Sequence, residues 1–333
     1  MTVKSRFTSA RAGSATASLL AALALLVTAC GGNSGSGSAS GSGSGSGASA
    51  KPATIRMGVL PIAGLAGWEL AKDNGYFKAA QLTPQFTTLK TPADMVPSLI
   101  GGKLEVGALN PGNLAQAAQQ KLPLKIIGAT YYANGEQGLY VKPSSPIKSI
   151  ADLKGKTIGL GALKNNSHAA LLEQLAQAGI GPNDVKFTLV PIADAPAQLR
   201  AGRVDAAQIS EPLVSVEGDK IRAVVPNLYA PYGPQSVNGY TIVAAKFAQE
   251  HPDEVKRIKQ ALEKGNDAAA QGGQPLRNAI ASLTGLKPEI LSKMVMPAFG
   301  NDLKMDSTAK QLELMKKYGF ISKTVDLSSL ELK

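Results

Sequence analysis

The chain has 333 residues, 44% of them hydrophobic, and a formal net charge of +11; beyond its first fifty residues it is long enough to build two lobes of ordinary size. The basic excess is scattered, with no dense Lys/Arg block interleaved with aromatics, which argues against a nucleic-acid surface. One cysteine and two histidines offer no cluster at metal-ligand spacing, which argues against a metal centre.

The first residues carry Lys4, Arg6 and Arg11 without an acid, followed by an apolar run from Leu19 to Val27 and then Thr28, Ala29 and Cys30. That order is a secretory signal over residues 1–29. Its apolar core is shorter than the roughly 20 residues a membrane-spanning helix needs, so the segment ends at a processing site. The run Val27-Thr28-Ala29-Cys30 resembles a bacterial lipoprotein box, which implies that Cys30 becomes the lipidated first residue of a chain anchored outside the cytoplasm. Removing residues 1–29 takes away three cations and no acid, so +11 becomes +8. That moderate excess suits contact with anionic lipid, steering of an anionic solute, or plain solubility. Residues 31–50 are only Gly, Ser, Ala and Asn, a flexible tether with an r.m.s. reach of about 25 Å; with Cys30 it is assigned to residues 30–52.

Beyond the tether, short β-rich runs alternate with helical patterns. A strand is predicted over 54–59, a helix near 67–73, a strand over 83–89, a helix near 93–100 and a strand over 105–109. A helix near 112–120 and a strand over 124–130 extend the series, with Asn74-Gly75 and Gly101-Gly102 as helix stops. This alternation predicts a parallel α/β sheet. A second series follows: a strand over 156–160, a helix near 167–178 stopped by Gly179, and strands over 185–190 and 204–209. From Lys246 the pattern is helical, with helices predicted near 251–263, 288–296 and 307–318 that return to the first lobe.

The second series repeats the first. Leu99, Gly102, Lys103, Leu104, Glu105, Leu109 and Asn110 match Leu199, Gly202, Arg203, Val204, Asp205, Ile209 and Ser210 at a constant offset of 100 residues. Each copy reads as a helix ending at glycine, a tight turn, a strand, and a polar residue close to a proline. Ligands of open parallel sheets bind beyond the carboxyl ends of the strands, so two such lobes face each other across a cleft.

Gly75-Tyr76-Phe77, the run Ser149 to Lys156, Gly202-Arg203-Val204-Asp205-Ala206, Glu211-Pro212 and His251-Pro252 together resemble the nitrate, sulfonate, taurine and thiamine-precursor group of periplasmic binding proteins, over about residues 54–320. The resemblance implies a two-lobed, type II periplasmic-binding-protein-like α/β fold with two hinge crossings, near 138–142 and 237–244. Lobe one then comprises 53–138 plus 243–333 and lobe two 142–237. It also implies a monomeric solute-binding lipoprotein that delivers a small molecule to the permease of an ATP-driven importer, needs no cofactor and catalyses nothing. The family's ligand-contacting loops map onto Pro61 to Trp68 (with Leu65), Thr91, Asn110-Pro111, Tyr131 to Asn134 (with Tyr132), Asn165-Asn166-Ser167-His168 and Ser210-Glu211.

Read for chemistry, Asn165 to His168 open a helix whose first acid is Glu173, and Asn110-Pro111-Gly112-Asn113 open another with no acid in its first turn. Such termini present free amides and a positive dipole end, suited to an anionic group; the same asparagines and Ser167 also read as ordinary N-caps. His168 is a ligand donor or a packed, capped side chain. Trp68, the only tryptophan, stacks on the solute or belongs to the core. Glu211 brings a negative charge to the cleft, calling for a donor on the solute, or faces solvent. The expected solute is a sulfonate, taurine-like or nitrate-like anion, and secondly a pyrimidine-like heterocycle. Two rivals remain: an enzyme of the menaquinone or thiamine-pyrimidine type on the same fold, and a solute-sensing lipoprotein without transport. No phosphate loop, dinucleotide fingerprint or nucleophile elbow supports the enzyme.

Overall fold

The computed structural model describes residues 51–89 and 94–332. The signal segment, Cys30, most of the tether and Thr91 lie outside the described residues. Among the described residues, ten strands form two five-stranded sheets. In chain order they are β1 (Ala53–Val59), β2 (Leu82–Thr88), β3 (Val106–Leu109), β4 (Leu124–Tyr132), β5 (Gln137–Val141), β6 (Thr157–Leu160), β7 (Lys186–Leu189), β8 (Ala206–Ser210), β9 (Arg222–Val225) and β10 (Val237–Ala244). The first sheet runs β2-β1-β3-β10-β4 and the second β7-β6-β8-β5-β9.

The two orders are the same pattern used twice, so the 100-residue repeat is a repeat of structure. In each sheet, two parallel pairs are followed by one antiparallel strand, β10 in the first and β5 in the second. Even a side-chain bond is repeated. Glu105 accepts the backbone N–H of Arg56 at 2.6 Å, and its counterpart Asp205 accepts that of Thr157 at 2.8 Å. An acid at the start of the third strand of each copy thus satisfies an amide of the first.

All eight residues of β10 are buried. A strand flanked on both sides and covered on both faces shows no exposed polar alternation, so even its polar residues Asn238 and Thr241 are buried. The chain passes from the first sheet to the second between Tyr132 and Gln137, and back between Val225 and Val237. Both passages precede the expected hinge positions, because 138–141 and 237–244 are themselves paired strands.

Helix Pro252–Ala270 covers the first sheet and crosses helix Ala66–Asp73 at close range. A Cβ on Gly265 would collide with the Gly67 carbonyl oxygen, so glycine is what lets these helices approach. Helix Gly273–Thr284 had no counterpart in the expected elements, and the one expected over 288–296 shortens to Pro288–Leu291. Helix Met305–Lys317 serves both sides: Leu312 and Met315 sit in the first-sheet core, while Leu314 also packs on the core of the second. Beyond it, Glu173 on the second side receives Lys317 Nζ at 2.6 Å and the Tyr318 hydroxyl at 2.8 Å.

Candidate functional site

Two helix N-termini, one following a strand of each sheet, meet. Helix Pro111–Gln119 follows directly on β3, with Asn110 Oδ1 accepting the Asn113 N–H at 2.8 Å and Pro111 in the first turn, where a missing N–H costs nothing. Helix Asn166–Gln177 follows β6 by a short loop, with Asn165 Oδ1 accepting the His168 N–H at 3.0 Å and the Ser167 hydroxyl at 2.8 Å. Neither helix has an acid in its first turn, so both keep their positive dipole ends uncompensated. A Cβ on Gly112 would stand 3.0 Å from the Asn166 nitrogen, and Gln116 Nε2 donates to the Lys164 carbonyl at 2.7 Å. The starts of the two helices are thus in direct contact through Gly112 and Asn166.

Asn166 is fully buried and bonded by two side chains, one of which carries the network on to a third element. Its Nδ2 donates to Gln311 Oε1 at 2.8 Å, Gln311 Nε2 donates to the Val237 carbonyl at 2.7 Å, and the Tyr232 hydroxyl donates to the Asn166 carbonyl at 2.6 Å. This chain of bonds joins the second helix terminus to the return passage and to helix Met305–Lys317. His168 turns away from it. Its Nδ1 accepts the Lys164 N–H at 3.0 Å, and its ring lies between Phe187 and Phe320 at 4.3 and 4.8 Å. Burial, with Lys164 nearby, lowers its pKa to about 4, so the imidazole is neutral at ordinary pH.

The outgoing passage carries Glu136, which is 5% exposed. Its oxygens accept the Asn134 N–H at 2.6 Å and Asn238 Nδ2 at 3.4 Å. Desolvation raises its carboxyl above the ordinary range, against those hydrogen bonds. Tyr229 belongs to the same cluster: burial raises its hydroxyl, the Glu136 charge adds to that, and hydrogen bonds to Asn238 and Ser167 oppose it. Tyr131 is raised by burial and then by Glu136 and Tyr229. A polar cluster of Tyr131, Glu136, Tyr229 and Asn238 therefore runs from the passages to Ser167 at the second helix terminus.

Glu211 adjoins the cluster: its N–H donates to the Glu136 carbonyl at 2.8 Å, its charge adds to the rise at Glu136, and its own carboxyl is bonded rather than open to solvent. Oε1 accepts the Ser215 hydroxyl at 3.0 Å and the Val295 N–H at 3.1 Å, and Oε2 accepts the Ser215 N–H at 3.0 Å. Desolvation raises this carboxyl too, with the bonds from Val295 and Ser215 opposing. Among the described residues, neither Glu136 nor Glu211 is paired with a cation.

Other expected contacts are placed elsewhere. Trp68 and Leu65 are 0% and 1% exposed in the core beneath β1, among Ile55, Met57 and Phe77. The apolar face of the first helix is spent on that core, so the tryptophan has no surface to offer a solute. Tyr132 points into the first-sheet core, its hydroxyl donating to the Asp302 carbonyl at 2.7 Å, because residues alternate faces along β4. Pro61 is exposed, and Ser210 pairs with Gln137 at the end of β8. Two surface hollows of about 300 and 280 Å³ lie away from the helix termini, the larger beside Asn134, Gln235, Arg277 and Met296 and the smaller beside Tyr76 and Arg257.

Glu136, Tyr229 and Asn238 were not singled out by the sequence. The signal available for Glu136 was an acid one residue after Gly135, at the only polar break between two β-rich runs. Nothing local marks Tyr229 or Asn238, which reach the cluster only through the return passage. Among the described residues, no group of three His, Cys, Asp or Glu side chains is arranged to hold a metal ion, and no helix is long and apolar enough to cross a membrane.

The model of the NMT1/THI5-like family matches residues 63–274, and the chain belongs to that family. The taurine-binding periplasmic protein of Escherichia coli (strain K12) is 26% identical over 185 residues, 55% of this chain and 57% of that protein. The chain thus matches little more than half the length of such curated relatives, which are named as binding proteins. The alkanesulfonate-binding protein SsuA from Xanthomonas axonopodis pv. citri, solved bound to MOPS, superposes with a TM-score of 0.71 at 18% identity, covering 85% of this chain and 99% of that one. The desulfurization enzyme DSZB superposes at 0.62 and 17% identity, covering 84% of this chain and 96% of its own. The fold is that of the periplasmic binding proteins, and it is shared with at least one enzyme.

Proposed function

We propose that the chain is the extracytoplasmic solute-binding component of an ATP-driven importer, tethered through a lipid on Cys30, and that it closes two lobes around one small organic solute. Lobe one is built on the first sheet, from 53 to the outgoing passage and from the return passage onward; lobe two is built on the second sheet. The observation that carries the reading is the meeting of two acid-free helix N-termini, Gly112 against Asn166, above a buried polar cluster on the two passages. Such termini hold an electron-rich group by backbone amides and dipole, and hinge closure about two passages traps it. The solute order is an organic sulfonate or similar anion, then a pyrimidine-like heterocycle, in keeping with relatives named for taurine and alkanesulfonate.

Catalysis is disfavoured by the residues themselves. Ser167 donates its hydroxyl to Asn165 rather than to His168, and His168 is held between two phenylalanines with Nδ1 already accepting an amide. No nucleophile–base pair is therefore assembled at this terminus. The test is thermal-shift screening of the purified protein against sulfonates, nitrate, pyrimidines and flavins. A solute at 100 times its dissociation constant adds about 2.7 kcal/mol of stability. X-ray scattering with and without the hit should show contraction; an unchanged curve with a tight-binding hit overturns closure, and turnover of the hit overturns the binding-protein reading.

A further inference from the structure

We propose that the floor of the cleft is an amine subsite, in which Glu136, assisted by Ser236 and Asn238, takes an N–H-bearing group of the solute. This rests on the solute-binding reading above and adds to it the chemistry of the solute's other end.

A carboxylate offers about four acceptor positions. Those of Glu136 receive Asn134 N at 2.6 Å, the long bond from Asn238 Nδ2 at 3.4 Å and its own backbone N–H, so the carboxylate keeps acceptor capacity to spare. The group is 5% exposed and has no ion-pair partner among the described residues. A buried charge is costly to leave unpaired, and a structural carboxylate in this position would be expected to have a cation beside it. A second, independent feature lies on the return passage. The Ser236 hydroxyl has no hydrogen-bond partner although the residue is 1% exposed. Val237 sends its side chain into the first-sheet core, so its neighbours Ser236 and Asn238 project to the opposite face, where Asn238 meets Glu136. An unpartnered hydroxyl, an under-bonded carboxylate and a carboxamide thus share one face of the passages, which run side by side where Ala133 N donates to the Ser236 carbonyl at 2.8 Å.

The electrostatic surroundings agree. The phenols of Tyr131 and Tyr229 are close enough to feel the Glu136 charge, and aromatic faces beside a carboxylate favour an ammonium or an electron-poor aminoheterocycle over an anion. The anionic or electron-rich end of the solute would lie towards the helix termini, whose dipoles have the opposite sign. The subsite chemistry is shared by aliphatic ammonium groups and by exocyclic amines on heterocycles.

The test uses matched pairs differing only in the amine: taurine against ethanesulfonate, and 4-aminopyrimidine against pyrimidine, measured by calorimetry on the purified protein and on Glu136→Gln. The amine member of at least one pair is expected to bind about tenfold or more tightly than its partner, and Glu136→Gln to abolish that preference. The pair that responds identifies the kind of amine. Ser236→Ala, with its melting transition intact, is expected to weaken the amine member alone, so the inference does not depend on a single variant. Equal binding within both pairs, or a preference that survives Glu136→Gln, overturns the amine subsite and leaves solute binding standing. Binding by none of the four also overturns it, and the broader screen then decides the solute-binding reading separately.

Discussion

A Cβ placed on Gly112 would come within 3.0 Å of the backbone nitrogen of Asn166. The two helix N-termini thus meet through a residue with no side chain; a Cβ there would also stand 2.9 Å from Met315 Sδ, so a branched side chain must displace Met315, the Asn166 backbone or both.

The first prediction follows from that distance. Gly112→Val keeps both lobes folded but lowers affinity for the identified solute by about tenfold or more, since roughly 1.4 kcal/mol of lost closure is enough for that. Calorimetry on the variant, with circular dichroism to confirm folding, checks it; unchanged affinity would place the solute away from this contact.

Trp68 is a core residue in the structure. Trp68→Ala should lower stability by about 3–5 kcal/mol, as large-to-small changes of aromatic core residues do. Because Trp68 is the only tryptophan, its emission should be blue-shifted and should not move on addition of solute. A solute-dependent shift would return it to the binding surface.

Asn166 and Gln311 form one buried network. Removing either side chain leaves the other's amide without a partner, at about 1–3 kcal/mol. A double-mutant cycle of Asn166→Ala and Gln311→Ala by urea denaturation should give a clear coupling energy; additive effects would show that the bond at 2.8 Å contributes nothing specific.

His168 sets a pH dependence. Its folded pKa of about 4 lies below the ordinary 6.5, so below pH 6.5 the unfolded chain binds a proton that the folded chain refuses. The contribution is fully present above pH 6.5 and is lost as pH falls towards 4, by about 2 kcal/mol between pH 7 and pH 5. His168→Gln should remove that part of the pH dependence, and NMR titration should find the imidazole neutral at pH 6.

Glu136 works in the opposite direction. Its folded pKa is raised by desolvation, so its contribution is fully present below the unfolded carboxylate pKa and is lost as pH rises through the folded value. Solute-free Glu136→Gln is therefore expected to melt higher than the parent at pH 7, with the gain gone at pH 4. A gain that is equal at both pH values would mean that folding leaves the carboxyl's pKa unchanged.

Much of the architecture was written locally. The helix and strand series, the stops at Gly75, Gly102 and Gly179, and the 100-residue repeat from Leu99 to Asn110 are periodicity and turn chemistry, which act between near neighbours. Strand β9 is not predicted by the local pattern, whereas β5 and β10 are expected only as the crossing strands of the hinge and prove to be paired inside the two sheets. Each is short or lacks a clean alternation of polar and apolar residues, and only its neighbours in the sheet make it a strand.

The sequence by itself determined that two similar α/β units exist, that each presents an acid-free helix start after a strand, and which asparagines cap them. Tertiary structure alone decided that Gly112 touches Asn166, that Trp68 and Tyr132 turn into cores while His168 is walled in by Phe187 and Phe320, and that Glu136 meets Asn238 from 102 residues away. The reason is that capping and periodicity are set by bonds within a turn or two of chain, whereas the facing of side chains across a cleft depends on how the two sheets are held against one another, and no short stretch of residues carries that information.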